Sequence, residues 1–389
     1  MNSFTFYNPV RIIFGPGEMD QLGRETASIG TRVLLVEARE DGHLAKTGVY
    51  ERARSLLEAA GVQVFELKGV LPNPRLSLVK KGASICRENK VDAVIAVGGG
   101  SVIDTAKAVA VAALDDGDVW DFFLLKRKAK GALPLGVVVT LSATGSEMNV
   151  NSVITNEATN QKYAIHYPFS FPRFSIIDPK LHVSIPFHHI AYGAYDIFSH
   201  VLEGYFDDCP DTPLQDRLGE GILITTMESV ERIRKNPDDL GARCNLAWSA
   251  TLALNGLHDA GRGNQPYDAH TIEHELGARY DVSHGAGLAI VQPVWLQHGA
   301  RENPAKFVQF AQRVFGICPD GKTDKEVGQE GINALRSWAR GIGCPITLRE
   351  IDVPRDDLRG LAEDIVKNPE GRELDSEKVY AVLLDCYED

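Results

Sequence analysis

The stretch VDAVIAVGGGSVIDTAKAVAVAAL, residues 91–114, decides the fold class that we predict for this chain. A short apolar run is followed by three glycines and then by a longer apolar segment of helical length. That order predicts a buried strand, a tight turn and a helix. The backbone N–H groups of Gly98, Gly99, Gly100 and Ser101 are then expected at a helix N-terminus, where phosphate is attracted.

Two interpretations of this turn stay open. Glycine also serves tight turns that need a positive φ angle and bind no ligand. The usual dinucleotide fingerprint, G-x-G-x-x-G, is not matched, because Ile103 stands where its last glycine belongs. The turn is therefore either a phosphate cradle or a plain strand-to-helix connection.

A second loop, TLSATGSEMN at residues 140–149, also follows an apolar run and is dense in hydroxyl side chains. Hydroxyls in such a position can bind the phosphates or the ribose of a cofactor. The same residues can equally cap a helix, since Thr144 and Glu147 have the spacing of a capping box.

The pattern around these loops changes once along the chain. From residue 33 to 139 the apolar runs RVLLVEA, VQVFEL, DAVIAV and LPLGVVVT alternate with amphipathic stretches such as GVYERARSLLEAAG. Short runs buried on both faces predict parallel strands in βαβ units. After Pro186 only helical runs follow, including LQDRLGEGILITTMESVERIRK. We therefore predict an α/β domain over residues 1–183 and an all-helical domain over 184–389, joined at the Pro-rich connection IIDPKLHVSIP.

Composition excludes several classes of protein. The net charge of −12, without a Lys/Arg-rich block, argues against nucleic acid as a partner. No apolar run approaches the ~20 residues that span a bilayer, and MNSFTFYNPVRIIFG lacks the regions of a signal peptide. We expect a cytoplasmic protein without membrane contact. The six cysteines are scattered without a CxxC pair, so neither a disulfide framework nor a cysteine zinc site is predicted.

Two histidine-containing stretches have the spacing of a metal site. DAHTIEHELGARYDVSHG, residues 268–285, contains His270, His274 and His284, and GAYDIFSHVLEGY contains Asp196 and His200 four residues apart. Residues four apart share a helix face, and a carboxylate with imidazoles suits Fe(II), Zn(II) or Mn(II). Such pairs also arise from packing alone. The zinc-protease motif is absent, because Ala278 stands where it needs a second histidine.

These motifs together resemble a known family. FYNPVRIIFGPG, PNP, GGGSVIDTAK, TLSATGSE, IIDP, DIFSHVLEGY, NGLHDAGRG and HTIEHELGARYDVSHGAGLAI are similar to the iron-containing alcohol dehydrogenases, most of all to their butanol dehydrogenase branch. The resemblance covers nearly the whole chain. It implies a Rossmann-like dinucleotide-binding α/β domain with a parallel sheet, a helical metal-binding domain, an active site in the interdomain cleft and a homodimer.

The resemblance also implies roles for individual residues. One divalent metal is expected on Asp196, His200, His270 and His284. His274 is expected beside the metal as a catalytic group that can relay a proton. The pyrophosphate is expected on the glycine turn at Gly98, Gly99, Gly100 and Ser101. The residues expected near phosphate, ribose or nicotinamide are Asp104, Thr140, Ser142, Thr144 and Lys162, with Asp104 also a candidate catalytic residue.

The choice of dinucleotide depends on the end of the strand RVLLVEAR, which is expected to meet the adenosine ribose. An acid there favours NAD, and Glu37 is such an acid. The family position that most often carries the discriminating Asp aligns with Ala38, which Arg39 follows. A small residue beside an arginine admits a 2′-phosphate, so we expect NADP rather than NAD.

The expected chemistry is reversible hydride transfer between nicotinamide and a primary alcohol or aldehyde, with the metal as Lewis acid. Fe²⁺ is favoured over Zn²⁺, because open positions beside four protein ligands require more than tetrahedral coordination. One rival is a lyase or synthase of the same architecture, which needs cations near the metal for polyanionic substrates. Only Arg262 and Arg279 are candidates. The second rival, a non-catalytic metal-binding protein, has no use for the glycine turn.

Overall fold

The computed structural model describes residues 1–39, 42, 44–207, 209–263, 265–299, 304–369 and 373–388. The chain divides into two compact units. The first, here called the α/β unit, comprises Tyr7–Pro186 and Asn236–Asn255. The second, the helical unit, comprises Met1–Phe6, Phe187–Lys235 and Gly256–Asp389.

All strands of the described residues lie in the α/β unit. Six of them form one parallel sheet in the order β1-β8-β5-β4-β2-β3, and the other two form an antiparallel pair. The four apolar runs predicted as parallel strands are confirmed as β2, β3, β4 and β5. The strands are β1 Arg11–Phe14, β2 Arg32–Ala38, β3 Gln63–Val70, β4 Ala93–Gly98, β5 Leu135–Val139, β6 Asn151–Asn156, β7 Gln161–His166 and β8 Phe174–Ile177.

The helices are divided between the two units. The first five and α8 belong to the α/β unit, and the others belong to the helical unit. They are α1 Leu22–Ala27, α2 Val49–Ala59, α3 Leu76–Glu88, α4 Gly100–Ala112, α5 Trp120–Phe123, α6 Phe187–Tyr205, α7 Pro213–Lys235, α8 Leu240–Ala253, α9 Asp268–Tyr280, α10 His284–Gly299, α11 Pro304–Phe315, α12 Asp324–Gly341, α13 Leu358–Ile365 and α14 Ser376–Glu388. Within the described part of the chain, none of them is both long and apolar enough to cross a bilayer.

Strand β4 shows why the central runs are apolar throughout. Val94 and Ala96 belong to the core on one face of the sheet, together with residues of α3 and α4. Ile95 and Val97 belong to the core on the other face, together with residues of α2. Successive side chains of a strand point to opposite faces, so a strand covered on both sides has no polar alternation.

The sequence patterns did not predict several short elements. Strands β1 and β8 have only four residues each, and β8 pairs with both β1 and β5 inside the sheet. The segment predicted as a Pro-rich connection therefore begins with the end of a sheet strand. A single 3-10 turn, Pro179–His182, follows this strand.

In the helical unit, α10 begins in close contact with α6. A Cβ atom on Gly285 would overlap the carbonyl oxygen of Tyr192, and a Cβ on Gly287 would lie 2.7 Å from Cγ of Glu273 on α9. Both approaches are possible only for residues without a side chain. These two glycines therefore set how closely the first turn of α10 packs on its neighbours.

Replacement of Gly285 by alanine is expected to destabilise the protein by about 1–3 kcal/mol, because overpacking forces the helices apart. Thermal unfolding of the purified variant measures the effect. Gly221→Ala on α7 is the matched control, since among the described residues no atom outside the local helix backbone lies within 4 Å of a Cβ at that position. This control is expected to gain stability slightly, as alanine favours helix by about 0.5–1 kcal/mol over glycine. Equal melting temperatures for the two variants would contradict the close-packing account.

Candidate functional site

The expected metal ligands meet around one carboxylate oxygen in the helical unit. Oδ1 of Asp196 lies 3.5 Å from Nε2 of His200, 3.6 Å from Nε2 of His284 and 4.0 Å from Nε2 of His270. Four donors that each lie about 2.0–2.2 Å from a shared ion stand about 3.3–3.6 Å apart in a tetrahedron. The spacing of the four side chains is therefore close to that of a metal-ligand set.

Local structure explains how these four residues converge. Asp196 and His200 lie one turn apart on α6, so their side chains share a face. His270 lies in the first turn of α9, and His284 is the first residue of α10. Asp196, His200 and His270 are buried. Three helices thus bring oxygen and nitrogen donors to one point.

Two carboxylates outside this set orient the imidazoles. Nδ1 of His270 donates to Oε1 of Glu203 at 2.9 Å, and Nδ1 of His284 donates to Oε2 of Glu273. A histidine that donates from Nδ1 presents an unprotonated Nε2, the arrangement that metal-ligating histidines usually adopt. Nε2 of His270 is buried and, among the described residues, has no hydrogen-bond partner. This orphaned acceptor fits a bound divalent cation.

The electrostatics of the cluster also favour a cation. Burial lowers the pKa of His200 well below its usual value, and the charges of neighbouring histidines lower it further. For His270 burial also lowers the pKa, but the hydrogen bond and charge of Glu203, with Asp196 and Glu273, outweigh it and leave a raised value. Carboxylates therefore create a strongly negative potential around His270, which a divalent ion would offset.

His274 lies beside this cluster. It is buried on α9, and its ring centroid lies 5.6 Å from that of His284. Together with Glu273 and His284 it forms a second group whose ligand atoms lie within 4.8 Å of one another. Its expected role as a non-ligand proton relay stays a prediction.

Three residues near the cluster were missed from sequence. Glu203 stands three residues after His200, and Glu273 three residues after His270, so the helix period that suggested the ligands also contained their carboxylate partners. His258 is the third, buried and 2.9 Å from the Asp259 carboxylate. It lowers the pKa of His200, but no spacing in NGLHDAGRG connects it with the other histidines.

In the α/β unit the glycine turn has the predicted order of strand, turn and helix. Gly98 ends β4, Gly99 precedes α4 and Gly100 begins it. None of the three has a positive φ, so the plain-turn interpretation does not explain them. A Cβ on Gly100 would lie 2.5 Å from Cγ2 of Thr144. Glycine is thus needed at position 100 because the hydroxyl-rich loop lies directly on the turn.

The hydroxyls of that loop have different environments. Oγ1 of Thr140 is fully buried and has no hydrogen-bond partner among the described residues. Oγ of Ser142 lies 3.3 Å from Nδ1 of His182, whose Nε2 donates to the carbonyl of Val139 at 3.0 Å. Burial lowers the pKa of His182 to about 4, so its neutral Nδ1 accepts the Ser142 proton.

Thr144 and Glu147 do not form the capping box that their spacing allows. The 3-10 turn Ser146–Met148 follows Gly145 and has no side-chain cap. Oγ1 of Thr144 instead accepts from the backbone N–H of Ser146 at 3.2 Å.

Asp104 and Lys162 lie close enough to influence each other. Oδ1 of Asp104 accepts from Ser146 Oγ at 2.7 Å, and Oδ2 accepts from the N–H of Val153 at 3.0 Å. Burial raises the pKa of Asp104, while Lys107 and Lys162 oppose the rise. Lys162 is itself buried on β7.

At the end of β2, Glu37 is buried, whereas the residues that follow it are more exposed. Glu37 is only 3% exposed and pairs in register with Val97 inside the sheet. Ala38 ends the strand, and its N–H donates to the hydroxyl of Tyr50 at 3.2 Å. Arg39 follows and is exposed. The carboxylate expected to favour NAD is therefore buried, whereas the arginine expected to favour NADP reaches the surface.

The two arginines that the lyase alternative requires are both engaged by acids. Arg262 donates to Asp216 at 2.8 Å and to Asp207 at 3.3 Å. Arg279 donates to Glu275 at 3.0 Å and also to Asp364. Their charges are compensated inside the protein.

A parallel sheet with a glycine turn at its carboxyl edge and a buried Asp/His cluster on helices are the two halves of a metal-dependent dehydrogenase. Comparison with known proteins agrees. The family model for iron-containing alcohol dehydrogenase matches residues 9–179, and that for the C-terminal region of the Fe-containing alcohol dehydrogenase family matches residues 190–387. This chain belongs to the iron-containing alcohol dehydrogenase family.

Individual relatives match along the full length. The probable NADH-dependent butanol dehydrogenase 1 of Bacillus subtilis (strain 168) is 42% identical, over 98% of this chain and 99% of the relative. The NADPH-dependent aldehyde reductase YqhD of Escherichia coli (strain K12) is 35% identical, over 94% of this chain and 93% of the relative. The crystal structure of NADH-dependent butanol dehydrogenase A from Thermotoga maritima has a TM-score of 0.95 and 40% identity, covering 100% of this chain and 99% of that one.

Alanine variants separate the four histidines of the cluster. His200→Ala, His270→Ala and His284→Ala are expected to purify with much less metal and almost no turnover, because each would remove one of the expected ligands. His274→Ala is expected to keep most of its metal and to turn over ~10²–10⁴ times more slowly, the usual cost of losing a positioned proton-transfer group. Elemental analysis of the four variants, set against their rates, makes the comparison.

If all four were packing residues, the variants would melt earlier with unchanged metal content. A His274→Ala protein that loses metal as completely as His270→Ala would show that the middle histidine is itself a ligand.

Proposed function

We propose that this chain catalyses reversible, metal-dependent hydride transfer between NAD(P)H and a small aldehyde, which gives the primary alcohol. The observation that carries the proposal is the set of three Nε2 atoms 3.5–4.0 Å from one Asp196 oxygen, with His270 held by an outer carboxylate. The relatives support the substrate class, since they are named butanol dehydrogenase and aldehyde reductase.

In this proposal Asp196, His200, His270 and His284 hold the metal, with Fe²⁺ favoured over Zn²⁺. When bound there, the metal supplies Lewis acidity that polarises a carbonyl oxygen. Glu203 and Glu273 keep the rings of their histidine partners in the orientation that ligation requires. His274 holds or moves the proton that the alcohol oxygen gains or loses.

The dinucleotide is proposed to bind the α/β unit. The N–H groups of the glycine turn, residues 98–101, lie at the start of α4 and suit a pyrophosphate. The nicotinamide supplies the hydride. Thr140 offers a buried hydroxyl without an internal partner among the described residues. The other residues proposed to approach the cofactor are Ala38, Arg39, Asp104, Ser142, Thr144 and Lys162.

The two rival functions are less well supported. A lyase or synthase acting on a polyanion needs cations near the metal, but Arg262 and Arg279 already pair with carboxylates. The relatives named above are dehydrogenases and a reductase. A non-catalytic metal-binding protein leaves unexplained why Gly99 and Gly100 admit the loop of residues 140–149 so closely.

The wider organisation follows the same proposal. Residues 1–183 act as the dinucleotide-binding domain and residues 184–389 as the metal-binding domain of a cytoplasmic homodimer. The domain bounds rest on the two family models, which match residues 9–179 and 190–387. The compact units of the structure differ from these bounds, because Met1–Phe6 belong to the helical unit and Asn236–Asn255 to the α/β unit.

Protein loaded with Fe(II) or Zn(II) is expected to reduce butanal while consuming reduced nicotinamide, followed by the fall in absorbance of the reduced cofactor. The matched control is the same protein after chelation, which should lose the activity and regain it when metal is added back. Unchanged absorbance with both reduced cofactors and aldehydes of every chain length would contradict the dehydrogenase proposal.

We further propose that Arg39 gives the chain a preference for NADP. The buried position of Glu37 removes the main argument for NAD. Arg39 is exposed directly after β2, where a guanidinium can pair with a 2′-phosphate. The relatives include both NADH-dependent and NADPH-dependent proteins, so the family alone does not decide the choice.

Arg39→Ala is expected to lower kcat/KM with NADPH roughly tenfold or more while leaving the NADH value nearly unchanged, because one charge-assisted contact is lost. Arg52→Ala is a suitable control, since Arg52 is exposed on α2 and pairs with Asp20. Comparable efficiency of the parent protein with both cofactors, or an unchanged preference in Arg39→Ala, would contradict the assignment.

A further inference from the structure

Lys107 is a fully buried lysine on an otherwise apolar part of α4. Its side chain is 0% exposed, and the helix around it reads AKAVAVA. The ammonium donates to Oγ of Ser146 at 2.8 Å, to Oδ1 of Asn149 at 3.1 Å and to the carbonyl of Asn151 at 2.8 Å. All three of its N–H groups are therefore used, and all three acceptors lie between residues 146 and 151.

The first consequence concerns Asp104. An ammonium group can only donate, so Ser146 Oγ accepts from Lys107 and directs its own proton to Oδ1 of Asp104, 2.7 Å away. The N–H of Val153 fixes the other carboxylate oxygen at 3.0 Å. Lys107 thus determines, through one serine, how the Asp104 carboxylate is oriented.

The second consequence concerns the loop over the glycine turn. Nδ2 of Asn149 donates to the carbonyl of Gly145 at 2.9 Å, and the N–H of Ser146 donates to Oγ1 of Thr144 at 3.2 Å. Thr144 is the residue that a Cβ on Gly100 would meet. The two residues that Lys107 holds therefore also set where the loop lies on the turn, Ser146 through its backbone and Asn149 through its side chain.

The charge of Lys107 matters for this arrangement. Burial lowers its pKa to about 8, although the carboxylates of Asp104 and Glu147 oppose the shift. Removing a cation from water is unfavourable by several kcal/mol, and an apolar side chain of similar volume avoids that cost. A role in packing alone does not account for a lysine here, whereas a role in holding a polar loop does.

We propose that Lys107 is a positioning residue for the dinucleotide, which holds the loop of residues 140–149 and the start of β6 against the glycine turn and orients Asp104. The inference rests on the proposed function, since it takes the turn and loop as the dinucleotide site. Lys107 itself is buried beneath that site and touches no reacting atom in this scheme.

The test compares dinucleotide binding by Lys107→Met, Ser146→Ala and Ser152→Ala in the full-length, metal-loaded protein. Lys107→Met keeps the volume and removes the charge, and is expected to weaken NADPH and NADH binding roughly tenfold or more. Ser146→Ala breaks the link to Asp104 and is expected to weaken binding in the same direction. Ser152→Ala is the matched control, because it removes a 2.7 Å hydrogen bond to the backbone carbonyl of Asp104 and leaves the carboxylate untouched.

Dissociation constants come from the fluorescence of the reduced dinucleotide, with metal content and melting temperature recorded for each variant. The double variant Lys107→Met/Ser146→Ala is expected to bind no more weakly than Lys107→Met, since both changes break one chain of hydrogen bonds. In steady state, KM for the dinucleotide is expected to rise in Lys107→Met while KM for the aldehyde stays within about twofold.

Folded Lys107→Met that binds dinucleotide as tightly as the parent would overturn the inference and leave the proposed function standing. If Lys107→Met does not fold, Ser146→Ala decides alone, and parent-like binding by it overturns the inference. A parent protein that binds neither NADPH nor NADH overturns the proposed function and this inference together. Weakened binding in Ser152→Ala equal to that in Lys107→Met also counts against a specific role.

Discussion

The carboxylate of Asp196 stands among three imidazoles, and the helical unit is arranged around that contact. Oδ1 of Asp196 comes within 3.5–4.0 Å of Nε2 atoms from α6, α9 and α10. Gly285 and Gly287 allow α10 to begin close enough for His284 to take part. Glu203 and the fully buried Glu273 add two more carboxylates behind the rings. Because buried charge needs compensation, a divalent cation here would stabilise the fold as well as supply chemistry.

In the α/β unit, buried polar groups are compensated by hydrogen bonds within the protein. Its glycine turn leaves backbone N–H groups at the start of α4, and the absence of side chains lets a second loop lie directly on the turn. That loop is polar and partly buried, so its groups need partners inside the protein. Lys107 supplies three donors at once. A single buried cation thereby connects the helix that bears the turn with the loop that covers it.

The sequence was most informative where a periodic pattern met a strong physical constraint. Central strands buried on both faces must be apolar, so the runs around Leu34, Ile95 and Val137 predicted the parallel sheet. Helix spacing also predicted that Asp196 and His200 share a helix face, and their side chains do lie close together. Strands of four residues, such as β8, are too short to show a period. Their pairing depends on contacts distant in sequence.

Residues whose role depends on a partner were the least predictable. Glu203 becomes notable only once His270 lies beside it, and the two stand 67 positions apart. Lys107 appears in the sequence as one cation in an apolar helix, and its acceptors follow 39 or more positions later. Glu37 was the one residue at the end of β2 that favoured NAD, but the alternation of β2 places it in the sheet interior. A continuous apolar run does not reveal to which face of the sheet a particular side chain points.

Anomalous X-ray scattering at the metal absorption edge, measured on crystals of iron- or zinc-loaded protein, would locate the metal ion directly. One strong peak is expected about 2.0–2.2 Å from Oδ1 of Asp196 and from Nε2 of His200, His270 and His284. The absence of any peak there, or a peak held instead by Glu273, His274 and His284, would contradict this assignment of the ligands.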